Sequence, residues 1–158
     1  MNRVLPEANV NSLYDTDFVE WSEQAAQRLR TGRIDEVDLA LVAEEIEDLG
    51  KNHRLAVSSQ MLHLLIHQIK RKIQPERETP SWRRSIVNAQ EHIRGRLEAA
   101  PSLKPHLEDQ LPQIYRRAIA GARFETGVQS RPLPDDCPFS VTQLLENFDL
   151  DWPESASA

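Results

Sequence analysis

No proline interrupts the chain between Asp38 and Pro75, and apolar residues recur there at helical spacing on both sides of a single glycine, Gly50. That stretch limits the fold more than any other. A helix over Glu36–Ile73 would run roughly 57 Å at 1.5 Å per residue, whereas a compact domain of this length has a radius of gyration of only about 15 Å. Before Gly50 the expected buried stripe is Leu39, Val42, Ala43, Ile46 and Leu49; after it, Leu55, Leu62, Leu65, Ile69 and Ile73. The two stripes are rotated apart around the helix axis. A glycine in a helix costs only about 1 kcal/mol, and Asn52–Ser59 holds no proline, so one continuous, bent helix is expected.

The remaining elements arrange themselves around it. Residues 1–13 carry no period and read as a disordered or loosely attached lead. A first helix starts near Tyr14, with Asp15 or Thr16 as its cap, and Phe18, Trp21, Ala25 and Leu29 form its stripe. Gly32 ends it, and Asp35 caps the long helix with Asp38 in the reciprocal position. Thr79-Pro80 opens another helix, with Trp82, Ile86, Ala89, Ile93 and Leu97 facing inward. Ser102 caps the next, whose inward face is Leu103, Leu107, Leu111, Ile114 or Tyr115, Ala118 and Ala122, and which Pro112 should kink or split. Ser140 and Gln143 form a capping box before a short last helix. No alternating pattern suggests a strand. The expectation is an all-α, single-domain bundle of five or six helices over 14–153, with a flexible tail at 154–158.

One cysteine, Cys137, excludes an internal disulfide and suits a reducing compartment. The start of the chain lacks the apolar region of a signal peptide, and the apolar run Met61–Ile69 is too short to span a membrane. A soluble cytoplasmic protein with no membrane association is expected. Charge is uneven. Tyr14–Gly50 holds eleven acidic and three basic residues, a balance of −8, and His63–Arg96 holds eight basic and three acidic, a balance of +5. The simplest reading has the two regions neutralise each other. The alternative is a basic face for an anionic partner.

Taken in order, EEIEDLG, LLIHQIKRKIQPE, SWRRSI and CPFSVTQLL resemble a widespread bacterial family of helical proteins known as domain of unknown function number twenty-nine. The resemblance covers about Tyr14 to Pro153. It implies an all-helical fold and supplies no activity.

Three constellations bear on chemistry. His63 and His67 share a helix face at i, i+4, as do Glu44 and Asp48, with Glu45 beside them, which is how helices present metal ligands. Glu45 and His63 would lie about 27 Å apart on one helix, so a shared ion needs a further ligand such as His92 or His106. No cofactor is expected. The second constellation is Lys70, Arg71, Lys72, Arg77, Arg83 and Arg84 around Trp82, a possible nucleic-acid or partner surface. Its plainer reading places Arg83 or Arg84 in ion pairs with Glu44, Glu47 or Asp48. The third is Cys137, whose neighbours Asp135 and Asp136 should raise its pKa and suppress the thiolate. No nucleotide-binding or hydrolase motif occurs. The reading that follows is a non-enzymatic interaction or regulatory protein with a protein partner or a homo-oligomeric state. A nucleic-acid-associated role is second, and a metal-dependent enzyme third.

Overall fold

The computed structural model describes residues 10–153, so the expectations for residues 1–9 and for the tail at 154–158 lie outside the described residues. Six α-helices follow one another: α1 (Val10–Thr16), α2 (Phe18–Arg30), α3 (Leu39–Ile73), α4 (Pro80–Ala99), α5 (Leu103–Thr126) and α6 (Val141–Glu146). Short 3₁₀ turns at Ile34–Glu36 and Pro75–Arg77 flank α3. Among the described residues there is no strand, so the fold is all-α. The chain divides into two compact units, Met1–Lys51 and Asn52–Ala158, and α3 contributes a segment to each.

In the first unit, α1 takes up residues 10–13, which the sequence had suggested for the lead. The cap of α2 is Asp17, whose side chain accepts from the Glu20 N–H at 3.0 Å, not Asp15 or Thr16. Thr31 Oγ donates to the Gln27 carbonyl, and Gly32 leaves α2 with φ 74°. The Arg28–Glu36 ion pair, at 3.3 Å, ties α2 to the turn before α3. Asp35 lies inside that turn, and Asp38 is the cap of α3, accepting from the Leu41 N–H at 3.1 Å. Tyr14 donates its hydroxyl to Glu45 and stacks edge-on against Trp21 at 5.0 Å. From Leu13 to Lys51 only Trp21 and Ala25 are buried.

The second unit holds the main core. Helix α3 passes through Gly50 without a break and presents Val57, Met61, Leu64, Leu65, Ile69 and Ile73 to it. This corrects the expected stripe: Leu55 is exposed and Leu62 half-buried, because apolar residues at 62 and 64–66 populate several sides of the helix and blur its period. Ile86, Ala89 and Ile93 of α4 are buried, as are Leu103, Leu107, Leu111, Ile114, Tyr115, Ala118 and Ala122 of α5. Helix α5 continues through Pro112. The carbonyl that proline leaves unpaired belongs to Glu108, and both residues are exposed, so water can serve it. Ser102 makes no side-chain cap, whereas Thr79 caps α4 through the Trp82 N–H.

The short α6 is anchored from outside. Ser140 and Gln143 form the expected capping box. At the other end, buried Gln90 donates to the Leu144 and Asn147 carbonyls at 2.9 and 3.0 Å, and Arg94 donates to Leu145 at 2.7 Å. Gln68 and Arg71 both donate to the Phe148 carbonyl. A helix this short cannot satisfy its own terminal carbonyls; Gln90 and Arg94 serve those of Leu144 and Leu145, while Gln68 and Arg71 hold the Phe148 carbonyl beyond the helix.

Candidate docking groove

The expected stripes of α2 and the start of α3 are where the sequence and the structure differ most. On α2, Phe18, Trp21, Ser22, Ala25, Ala26 and Leu29 fall at i, i+3, i+4, i+7, i+8 and i+11. On α3, Val42, Glu45, Ile46 and Leu49 fall at i, i+3, i+4 and i+7. Together they line an open groove of about 310 Å³ within the first unit. Its floor is Trp21 and the small Ser22, Ala25 and Ala26. Phe18 is 48% exposed, and Ile46 and Leu49 are 64% and 63% exposed. Leu39 and Ala43, also expected to be buried, are exposed too. Helical periodicity records which residues need cover and says nothing of what supplies it. The one charged side chain in the lining, Glu45, is taken up by the Tyr14 hydroxyl. That hydrogen bond, then partial burial and the nearby acids, hold the phenol neutral and raise its pKa to about 12.

The other candidate residues are placed as follows. Asp48 pairs with Lys51 at 2.8 Å along its own helix, and Glu44 and Glu47 are exposed. His63 is exposed, while His67 is buried, its Nδ1 donating to the His63 carbonyl at 3.0 Å with the two rings 4.5 Å apart. Among the described residues no three His, Cys, Asp or Glu side chains gather as a metal site. His92 is exposed, and His106 Nε2 lies 3.1 Å from Ser58 Oγ. Sequence spacing gave no hint of that last contact. Ser58 is embedded in α3, whose backbone N–H groups are committed to the helix and supply no oxyanion donors.

Of the basic cluster, Lys70 is buried, pairs with Glu125 at 2.7 Å and lies 4.3 Å over the Trp82 ring. Arg71 pairs with Asp149 at 2.7 Å and Glu78 at 3.2 Å, and Arg83 reaches Glu78 at 3.4 Å. The partner of Arg83 is therefore an acid five residues away in sequence. Arg71 and Arg83 both lie over the Phe148 ring, at 4.4 and 5.2 Å. Lys72 is half-buried, and Arg77 and Arg84 are exposed. Cys137 has a raised pKa, with burial as its cause and not the adjacent aspartates; its thiol donates to the Phe139 carbonyl.

The sequence model of the family described as Domain of unknown function DUF29 matches residues 13–149. No curated protein and no solved structure matches the chain. Among the described residues no helix is long and apolar enough to cross a membrane.

Proposed function

This chain belongs to the DUF29 family, whose description names no activity, and we propose that it acts as a non-catalytic interaction protein whose docking surface is the α2–α3 groove. One observation carries this reading. From Leu13 to Lys51 two apolar side chains are buried, while Phe18, Val19, Leu29, Ile34, Leu39, Ile46 and Leu49 stand exposed. Scattered exposed apolar residues are ordinary on any protein, but a contiguous patch on facing helices marks an interaction surface. The groove has the form in which helical partners are recognised, with anchors at i, i+3, i+4 and i+7.

Photo-crosslinking tests it. A benzophenone side chain placed at Ile46 in the full chain should give an adduct of defined mass in cells, and the same group at exposed Glu108 on α5 should give none. Absence of any adduct at Ile46 would overturn the reading.

A further inference from the structure

We propose that the occupant of this groove is a second copy of the chain, the two α2–α3 hairpins facing each other across a two-fold axis. The inference rests on the docking reading above and names its partner. Three observations lead to it.

The first is area. Phe18, Val19, Leu29, Leu39, Ile46 and Leu49 are between 37% and 65% exposed. With roughly 200 Å² for a fully exposed large side chain, they leave on the order of 600 Å² of surface. A standard interface buries about 800 Å² per partner, so these residues supply most of one side.

The second is shape. A two-fold interface must be complementary to itself. Here large projecting residues, Phe18, Ile46 and Leu49, border a hollow floored by Ser22, Ala25 and Ala26. A two-fold axis sets the projections of each copy against the hollow of the other. Along α3, Leu39, Val42, Ile46 and Leu49 follow the three-four spacing of a coiled-coil seam over two heptads.

The third is charge. Tyr14–Lys51 holds eleven acidic and four basic residues, a balance of −7, which at first favours a basic partner. Projection at 100° per residue argues otherwise. Glu20 on α2, and Glu44 and Glu47 on α3, fall on the faces away from the groove, whereas Val19, Leu39 and Gly50 border it. A basic helix laid in the groove would meet one lining carboxylate, Glu45, and that one is already held by the Tyr14 hydroxyl. A second copy brings the same lining, with its Glu20, Glu44 and Glu47 on the outer faces. Those two acidic exteriors repel at long range, and salt screens repulsion beyond about 10 Å at 0.1 M.

Sedimentation of the full chain distinguishes the occupants. The expected result is a dimer that tightens as salt rises from about 0.05 M to about 0.5 M; a basic partner would bind less tightly over the same range. Ile46→Asp should weaken dimerisation on the order of a hundredfold, as loss of a central interface anchor does, with helical content unchanged. Should Ile46→Asp lose helical content, Ala26→Glu in the floor serves instead, with the same expected loss. The adduct formed at Ile46 should have twice the mass of the chain. A monomer at all concentrations, or a dimer indifferent to both substitutions, overturns the inference. An Ile46 adduct of a different mass overturns it while leaving the docking reading intact, and no adduct removes both.

Discussion

His67 is a residue whose chemistry is set by its surroundings. It is buried on α3, donates from Nδ1 to the His63 carbonyl, and has Lys70 one turn away. Burial is the main cause that lowers its pKa below the ordinary 6.5. The His63 and Lys70 charges lower it further, while the hydrogen bond to His63 and the Glu125 carboxylate oppose them. The sign follows directly. The unfolded chain takes up a proton near pH 6.5 and the folded protein only at a lower pH, so the contribution of His67 to stability is complete above about pH 6.5 and is lost as pH falls below it. His67→Gln keeps an amide donor for the His63 carbonyl and removes the titration. In urea unfolding, wild type should lose its advantage over His67→Gln between about pH 7 and pH 5. Curves that stay parallel over that interval would exclude His67 as the titrating group.

Helix α3 shows how far elements can be read from local sequence. Gly50 lies in the helix, exposed, and a Cβ added there meets nothing within 4 Å. Gly50→Ala should therefore raise stability by about 0.5–1 kcal/mol through the lost backbone freedom of the unfolded chain. A urea midpoint unchanged or lowered would show that the glycine serves a conformation other than this helix. At Gly121 the same change gains less, because its Cβ would meet Ile66 Cδ1 at 3.0 Å. The continuity of α3, the Thr79-Pro80 start and the Ser140–Gln143 box were legible, since each depends on residues a few positions apart. The inward faces of α4 and α5 were legible because a single stripe runs the length of each. The α2 cap was not, because four potential caps crowd Asp15–Ser22 and only backbone geometry selects Asp17. Gln68 did carry a signal, since it sits between Leu65 and Ile69 on the apolar stripe and an amide there needs a partner. Its partner, Phe148, lies 80 residues on, and no local pattern reaches that far. The stripes of α2 and the start of α3 were read as buried; Trp21 and Ala25 are, whereas Phe18, Leu29, Ile46 and Leu49 stand exposed along the groove and Leu39 and Ala43 are exposed outside its lining.

At the scale of the molecule, the two units are unequal in what they bury. The second has a continuous core drawn from α3, α4, α5 and α6, and the side-chain donors of Gln68, Gln90 and Arg94 fix the end of α6 and the residues after it. Among its described residues the first buries Trp21 and Ala25, to which the Tyr14, Phe18 and Trp21 ring contacts, the Tyr14–Glu45 hydrogen bond, the Arg28–Glu36 pair and the helix caps are added. Exposed ion pairs contribute at most about 1 kcal/mol each, so local opening should be far easier in α2 than in α5. Hydrogen exchange on the full chain should find α2 amides exchanging much faster than those of α5 when the protein is dilute. Anything that binds only the folded form stabilises it by mass action. If a second copy covers the groove, protection of α2 and of Leu39–Lys51 should rise with protein concentration while that of α5 stays constant. In Ile46→Asp that rise should vanish. Equal protection of α2 and α5 in dilute wild-type protein would mean that α2 and the start of α3 need no cover, and the case for the groove as a docking surface would lose its energetic basis.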